Sequence, residues 1–459
     1  MWFRRNRAVL PKLQFLVFVS CAWLGSAGFE SASAHTDSQV RNVWVQVVPP
    51  YRGLVRAITE GEHCPLAYFD GRPARMKVRA RPNSDFNVLV CELLVPPRTD
   101  RIEVAGRELR PVSRNPKRIA VVGDTGCRMK AGSAFDDGFQ NCGDPDDWEF
   151  AKVAQRVAEW QPDLIIQLGD YIYREQKCPE GCGNCQGSPY NSPGMRMATW
   201  NAEFFDPGIP MLEAAPIVFV RGDHETCERA GLGYVRFLDP FEFAACSDFS
   251  DPYALEFEEL QLVVMDTVQA DDTSLSANLV VNRYAQDFER AAKLAKGPTW
   301  LLSHRPIWAL RPAHRIVSEP KTDACGNQMI PPVAVEDINV TTQDALTASS
   351  LAGRLPPAVD LVLTAHIHVG EVLSFTGRRP PQMVVGISGT KLLPAVTRGL
   401  EGRVIDGETV THAMMVSVHG FFGFVPRQRG AWSMNVFDAG GASVTKCRID
   451  DKNAHCRSR

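Results

Sequence analysis

Two hydrophobic patterns divide the chain into an N-terminal and a central part. Over residues 40–116, short apolar runs such as VWVQVV, LVRAIT and FNVLVCELLV alternate with turns rich in Pro, Gly and Asp. Runs of this length without helical periodicity are typical of antiparallel strands. We therefore predict a small β-sandwich domain over residues 35–116.

From residue 117 onward, apolar runs alternate with helical stretches. Strands are indicated by IAVV, LIIQ, IVFV, LQLVV, TWLL, VDLVLT and QMVV. Two amphipathic helices are indicated by apolar residues at helical spacing, Phe150, Val153, Ala154 and Val157 in the first and Tyr284, Phe288, Ala291 and Ala295 in the second. This alternation predicts an α/β domain over residues 117–440. The runs GFFGF, WSMNVFD and SVTKC are expected to complete a sheet, with a C-terminal strand and tail over residues 441–459.

The first 34 residues have the build of a secretory signal peptide. Basic MWFRRNR precedes apolar LQFLVFVSCAWLG, and Ala32-Ser33-Ala34 forms a small-residue exit. No second apolar stretch of spanning length follows, so we expect a secreted or periplasmic protein without stable membrane association. Two variants of export stay open, the twin-arginine route through Arg4-Arg5 and a lipid anchor at Cys21.

The overall composition is that of an ordinary globular protein. Of the 459 residues, 44% are hydrophobic and 22% are charged, and the formal net charge is −3. A balance of this kind gives no reason to expect nucleic acid or a membrane surface as a partner.

Twelve cysteines remain once Cys21 is set aside, an even number in an exported chain, which favours disulfides. Spacing suggests the pairs Cys64–Cys91, Cys127–Cys142, Cys227–Cys246 and Cys447–Cys456, leaving Cys178, Cys182, Cys185 and Cys325 for two more. A zinc knuckle at CPEGCGNC is the competing interpretation. A redox dithiol at CGNC lacks a thioredoxin-like context. The surrounding segment, residues 174–216, is predicted to be a Cys-rich insertion.

Five apolar strands run directly into carboxylate or imidazole side chains. These side chains are Asp124 after IAVVG, Asp170 after LIIQLG, Asp223 after VFVRG, His304 after WLLS, and His366 with His368 after VLTA. In open α/β sheets the carboxyl ends of the strands form the ligand-binding edge, so all of them could converge on one cleft. Carboxylates brought together without matching cations repel, and a pair of metal ions would use the same atoms as ligands.

The motifs GDTG (123–126), GDYIY (169–173), GDHE (222–225), SH (303–304) and AHIH (365–368) resemble the five signatures of calcineurin-like metallophosphoesterases. Tyr173, three residues after Asp170, resembles the purple acid phosphatase branch in particular. The resemblance covers roughly residues 117–440. It implies a four-layer α/β sandwich, two mixed β-sheets flanked by helices, behind the small β-sandwich.

The resemblance also implies a ligand set and a reaction. One metal would be held by Asp124, Asp170, Tyr173 and His368, and the other by Asp170, Asp223, His304 and His366. His224 would face the substrate as proton donor or charge stabiliser, and Glu225 would orient His224. Arg305, Arg174 and Arg221 flank the motifs and are candidate contacts for phosphate, with surface salt bridges as the alternative.

The implied function is hydrolysis of a small phosphorylated substrate by in-line attack of a metal-activated hydroxide. A phosphomonoesterase is the leading interpretation. A phosphodiesterase with the same centre and a metal- or partner-binding protein with lapsed catalysis are the alternatives. The implied cofactors are two metal ions, iron with a second iron, manganese or zinc.

Two positions depart from the family pattern. Asp223 stands where the third signature normally has Asn, and Ala365 stands where the fifth normally has Gly. Ala for Gly is a small steric change, whereas Asp for Asn adds one negative charge to the metal ligands. We expect Asp223 to weaken the attraction of anions or to demand a particular metal pair.

Overall fold

The computed structural model describes residues 39–130, 138–183, 185–188, 196–272, 278–313, 325 and 334–458. The predicted signal peptide, residues 1–34, lies outside this part of the chain. Within the described residues, no helix has both the length and the apolar character needed to span a membrane.

The strands of the N-terminal part are β1 Val40–Val48, β2 Arg52–Thr59, β3 Leu66–Phe69, β4 Arg72–Arg75, β5 Lys77–Ala80, β6 Leu89–Leu94, β7 Ile102–Val104 and β8 Arg107–Leu109. Those of the central part are β9 Ile119–Val122, β10 Leu164–Gln167, β11 Ile217–Phe219, β12 Tyr253–Glu256, β13 Gln261–Val264, β14 Thr299–Leu302, β15 Ala309–Ala313, β16 Ala334–Ile338, β17 Val359–Thr364, β18 Gly370–Phe375 and β19 Gln382–Val385. The last six are β20 Val404–Ile405, β21 Glu408–Val416, β22 Gly420–Pro426, β23 Trp432–Asp438, β24 Ser443–Asp450 and β25 Asn453–Ser458. The α-helices are α1 Phe150–Glu159, α2 Met197–Trp200, α3 Asp206–Ala214, α4 Gly231–Phe237, α5 Asn278–Leu294 and α6 Val340–Ala348.

Two large mixed sheets dominate the molecule. The first has eleven strands in the order β25-β24-β23-β22-β9-β10-β11-β1-β2-β6-β5, and the second has eight in the order β12-β13-β14-β17-β19-β18-β21-β20. The strands β9, β10 and β11 are parallel, as are β13, β14, β17 and β19. Every strand predicted from the central part of the sequence is present.

The two large sheets pack face to face, and helices cover their outer faces. Between the sheets lie alternate side chains of β9 and β10, such as Val121 and Ile166, packed with Leu302 of β14. The other face of β9 and β10 packs on a helical layer that includes Phe150. Tyr284 of α5 belongs to a third core cluster on the outer face of the second sheet. This succession of helix, sheet, sheet and helix confirms the predicted four-layer fold.

The N-terminal part forms a two-layer arrangement that shares one sheet with the rest of the chain. The strands β3, β4, β7 and β8 form a separate four-stranded sheet. Its apolar face packs on β1, β2 and β6 through a core that includes Val43, Ala57, Ala67 and Ile102. Because β1 pairs in parallel with β11, this β-sandwich continues the first large sheet instead of standing apart from it. The boundary at residue 116 stays a prediction.

The predicted insertion spans residues 174–216, and its second half, residues 197–214, is part of the core. Residues 197–214 form an almost continuous helical segment of α2, a π-helical turn over Asn201–Phe205, and α3. Phe204 and Phe205 are fully buried in the cluster that covers the first sheet. The sequence suggested an insertion because this segment is rich in Gly, Pro and Cys, but Pro207 lies in the first turn of α3 and Pro210 lies inside the helix.

All four disulfides suggested by spacing are present, together with Cys178–Cys185 and Cys182–Cys325. These two bridges consume the cysteines of CPEGCGNC, so the zinc-knuckle alternative is wrong. Six disulfides are typical of chains that mature in an oxidising compartment.

Arg56 ties the N-terminal strands to the loop after α4. Its fully buried guanidinium donates hydrogen bonds to the carbonyl oxygens of Phe237 and Asp239, at 2.6 and 2.5 Å, and to Gln46 Oε1 at 2.8 Å. Substituting Arg56→Met would remove the donor to Gln46 Oε1 and to the carbonyl oxygen of Phe237, and would leave Asp239 only its hydrogen bond from Arg79. We expect the free energy of unfolding to fall by about 3–5 kcal/mol, as measured by urea unfolding.

The matched control is Arg52→Met, because Arg52 is exposed at the start of the same strand. This control should change the free energy of unfolding by less than about 0.5 kcal/mol. Equal losses in the two variants would contradict the assigned role of Arg56.

Candidate metal centre

The strand ends singled out in the sequence meet at one edge of the two-sheet sandwich. Asp124, Asp170 and Asp223 follow β9, β10 and β11 of the first sheet, whereas His304 and His366 follow β14 and β17 of the second. Parallel neighbours place their carboxyl ends together, and face-to-face packing brings the edges of the two sheets side by side. All five side chains are therefore delivered to one cleft.

Tyr173 marks the first of two adjoining clusters. Its phenol oxygen lies 2.6 Å from Asp124 Oδ1, 2.6 Å from Asp170 Oδ2 and 3.2 Å from His368 Nε2. One phenolic hydrogen can be donated to only one of two carboxylate oxygens. Burial raises the pKa of Asp124 to about 7 and that of Tyr173 well above its usual value. The phenol oxygen therefore faces at least one carboxylate oxygen without a hydrogen between them. A cation bound among these oxygens would remove their mutual repulsion.

The second cluster joins the two sheets through Asp170 and Asp223. His304 Nε2 lies 3.2 Å from Asp170 Oδ2 and 3.1 Å from Asp223 Oδ1. His366 Nδ1 lies 2.8 Å from Asp223 Oδ1. One donor atom from each of these four residues falls within 4.8 Å of all the others. Since Asp170 belongs to both clusters, it is placed to bridge two ions.

The outer nitrogen of each imidazole has a partner that fixes which ring atom faces the cluster. His304 Nδ1 lies 2.7 Å from the carbonyl oxygen of Leu168, which can only accept, so Nδ1 carries the hydrogen. His366 Nε2 lies 2.7 Å from Asp272 Oδ2. In each case the opposite nitrogen points at Asp223, as a metal-ligating imidazole requires.

Acidic neighbours favour positive charge on both imidazoles. Burial disfavours the charged ring, but Asp272 and Asp223 outweigh it and raise the pKa of His366 to about 9. Burial likewise opposes charge on His304, and Asp170 outweighs it to hold that pKa well above the usual value. The carboxylates thus stabilise positive charge in the cleft, whether it is carried by an imidazolium ring or by a metal ion.

Three of the proposed ligands have left-handed backbone conformations. The φ angles are 53° for Asp124, 56° for Asp170 and 74° for His366. Such conformations are uncommon for residues other than Gly and cluster at functional sites. Each of these residues directly follows a strand or the Gly or Ala at its end, where the reversal turns the side chain into the cleft.

Glu225 holds two strand-end loops together, so the prediction that it orients His224 is wrong. Its carboxylate accepts hydrogen bonds from the backbone N–H groups of Asp170, Tyr171 and Gly222, each at 3.0 Å. The short 3₁₀ turn over Asp223–Glu225 directs this side chain back toward the strand ends. A Cβ on Gly222 would lie 2.1 Å from the backbone nitrogen of Asp170, so only Gly fits between the loops.

Glu203 performs the same role between the loops after β9 and β10, and no sequence motif indicated it. Its carboxylate accepts from the N–H groups of Cys127 at 2.8 Å and Tyr173 at 2.6 Å. Burial raises the pKa of Glu203 to about 8. The residue lies in the segment interpreted as an insertion, far from any motif.

The side chain beside His224 is Glu175. His224 Nδ1 lies 2.7 Å from Glu175 Oε1, and its ring packs on Tyr173 with centroids 3.8 Å apart. Glu175 also pairs with Arg229, which reaches Asp223 Oδ2 at 3.3 Å. Burial and the charge of Arg229 lower the pKa of His224. Glu175 lies two positions after the motif GDYIY (169–173), and no feature of the sequence distinguished it from other acidic residues.

The three arginines predicted to contact phosphate occupy different positions. Arg221 is wrong as a phosphate contact, because it donates to the carbonyl oxygens of Glu225 and Ser247 and lies near the Cys227–Cys246 bridge. Arg174 is buried, 3.8 Å from Glu203 and over the ring of Trp148, which places it behind the loops.

Arg305 does lie in the cleft, where it pairs with acidic side chains. Its guanidinium is 3.2 Å from Asp223 Oδ2 and also contacts Asp272 Oδ1. Burial opposes charge on Asp223, but Arg305 and His366 hold its pKa well below the usual range. The additional negative charge of Asp223 is therefore partly compensated by neighbouring arginines.

The donor set fits two metal ions. Carboxylates and a phenol dominate it and imidazoles complete it, and all of these groups are ligands of transition-metal ions. Seven side chains converge, in two clusters that share one carboxylate: Asp124, Asp170, Tyr173, Asp223, His304, His366 and His368.

Comparisons with known proteins agree with this geometry. A family model described as calcineurin-like phosphoesterase matches residues 117–370, more than half of the 459-residue chain. The fold is similar to a purple acid phosphatase, PPD1, from yellow lupin (Lupinus luteus) seeds, with a TM-score of 0.51 at 10% identity over 91% of this chain and 74% of that one. It is also similar to the structure of PhoD, with a TM-score of 0.50 at 11% identity over 91% of each chain. No curated protein sequence is significantly similar to the chain.

Asp272, which no motif indicated, gives a test of the second cluster. Replacing Asp272 with Asn would weaken the hydrogen bond that orients His366 and remove one partner of Arg305. We expect the metal held next to His366 to bind roughly 10–100-fold more weakly. Metal content after dialysis against graded chelator measures this change.

The control for this variant is Glu256→Gln, which neutralises an exposed carboxylate on β12. It should retain metal like the unmodified protein. If the Asp272→Asn variant retained as much metal as the control, Asp272 would not support the binding of metal by His366.

Proposed function

The chain belongs to the calcineurin-like phosphoesterase family, and we propose that it is an exported phosphomonoesterase with two metal ions in the cleft described above. One observation carries this proposal. Three carboxylates, a phenol and three imidazoles converge in two adjoining clusters, and Asp170 lies in both of them. The ions of a two-metal phosphoesterase centre lie about 3.5–4 Å apart, and a carboxylate that belongs to both ligand sets is placed to bridge them.

Asp124, Asp170, Tyr173 and His368 would hold one ion, and Asp170, Asp223, His304 and His366 the other. When bound, such ions neutralise the phosphate oxygens and bring the pKa of a bound water from about 16 toward 7. The surrounding protein fixes the ligands: Glu203 and Glu225 clamp the loops that carry them, whereas Leu168 and Asp272 set the imidazole tautomers.

His224 is the proposed proton donor to the leaving alkoxide. Its Nε2 lies 3.9 Å from Asp170 Oδ2, at the edge of the bridging carboxylate, whereas Nδ1 faces Glu175. Glu175 would keep the hydrogen on Nδ1 or stabilise the imidazolium, and Arg229 holds Glu175 in place. This arrangement supports a role for Glu175 as the positioning residue that was first assigned to Glu225.

We propose iron with a second iron or another divalent ion as the metal pair. Tyr173 points into the first cluster instead of packing away from it, which supports a phenolate ligand. Phenolate bound to ferric iron absorbs visible light, so iron-loaded protein should be coloured. Six disulfides support maturation in an oxidising compartment and hence export.

The test is metal analysis of the purified protein combined with hydrolysis of one model monoester and one model diester. We expect two metal ions per chain, turnover of the monoester, and loss of turnover on chelation with recovery on reloading. His224→Ala should keep the metals and lower kcat for the monoester roughly 100-fold or more. If the diester were hydrolysed in preference to the monoester, the protein would be a phosphodiesterase. If metal-loaded protein hydrolysed neither ester, it would be a binding protein.

Asp223→Asn tests the charge of the centre. The change removes one negative charge beside two arginines, so the cleft should attract a dianionic ester more strongly and the KM should fall. Steady-state kinetics on protein of verified metal content measure it. An unchanged or higher KM at full metal occupancy would contradict this role for Asp223.

A further inference from the structure

A basic groove lies on the C-terminal strands, apart from the metal centre. It has a volume of about 980 Å³ and is lined by Arg427, Arg429, Lys446, Arg448, His455 and Arg457 together with neutral residues. Among the described residues, no carboxylate lines it. The whole chain has a formal net charge of −3, so this concentration of cations is a local feature.

The alternation of β24 and β25 places the cations on one face. Cys447 is buried, whereas Lys446 and Arg448 on either side of it are exposed. The register pairs Lys446 with Arg457, Arg448 with His455, and Cys447 with Cys456. The disulfide between the last two residues fastens the hairpin in this register.

Directly opposed like charges destabilise an antiparallel pair. Lys446 and Arg457 face each other in this way, and no carboxylate of the described residues forms an ion pair with either of them. Within the described part of the chain, Arg448 is the one basic residue of the groove with an acidic partner, Asp450. The cost of this arrangement is offset when an anion lies across the two strands, because each phosphate group can then contact more than one cation.

The groove and the metal centre lie toward opposite ends of the first sheet. Because β22 runs antiparallel to β9, Phe424 is paired with Ile119 and Phe422 with Val121. Arg427, just after β22, is therefore near the start of β9, whereas Asp124 follows its end. A ligand in the groove would not occupy the catalytic cleft.

We propose that this groove binds a phosphate-rich polyanion, a linear chain along which phosphate groups repeat. Four of its six basic residues are arginines, whose planar forks match phosphate oxygens in pairs. Residues two apart on a strand are separated by about 6.6–6.8 Å, so Lys446 and Arg448 offer successive contacts along a chain. Arg427 and Arg429 line the same groove and offer further contacts.

Binding of fluorescently labelled inorganic polyphosphate, followed by anisotropy over a range of salt concentrations, tests the proposal. The variant Lys446→Gln/Arg448→Gln/Arg457→Gln should bind at least tenfold more weakly, with a salt slope lower by roughly one per contact removed. Its kcat and KM for a small monoester should stay unchanged, so a failure here is separate from any failure of the proposed function.

The matched control is Arg72→Gln/Arg75→Gln/Lys77→Gln, which removes the same number and kind of exposed cations from β4 and β5. The control should bind polyphosphate like the unmodified protein. If both triple variants lost the same affinity for polyphosphate, or if neither lost any, the groove would be overturned as the binding site. Equally tight binding of poly-glutamate, or preference for phosphatidylglycerol vesicles, would overturn the assignment of a phosphate-rich chain.

Discussion

The constraint on which the site depends is the repulsion among carboxylates that are taken out of water at the same place. Asp124, Asp170 and Asp223 are at least nine-tenths buried, and the phenol of Tyr173 adds a further oxygen between the first two. Isolated buried charges of one sign are costly, so a structure that brings them together must supply positive charge. Imidazolium rings and arginines supply part of it, and the shared position of Asp170 leaves room for two cations to supply the rest.

Holding these repelling groups in place requires a rigid frame, and two further carboxylates provide it. Glu203 joins the loops after β9 and β10, and Glu225 joins the loops after β10 and β11, each by accepting backbone N–H groups. The loops are thereby linked in series along the sheet edge. The same frame explains why Gly222 is required, since the loops approach too closely for a side chain.

The sequence alone was sufficient for the fold and for the side chains that meet at the sheet edge, because both depend on local patterns. Apolar strands that end in Asp or His could be read directly, and the alternation of strands and helices fixed the layers. The supporting residues could not be found in this way, because Glu203 lies in a helical segment and Asp272 in a loop, both outside the motifs. Glu175 displaced Glu225 as the neighbour of His224 because a single 3₁₀ turn decides where Glu225 points. The formal net charge likewise did not indicate the basic groove, since it is a sum over the whole chain and carries no information on where the cations cluster.

Anomalous diffraction from crystals of the purified protein, recorded on both sides of the iron and manganese absorption edges, tests the central claim most directly. Two anomalous peaks should appear in the cleft, one among Asp124, Tyr173 and His368 and one among Asp223, His304 and His366, with Asp170 between them. A single peak, or metal bound only elsewhere on the chain, would contradict a two-metal centre at this sheet edge.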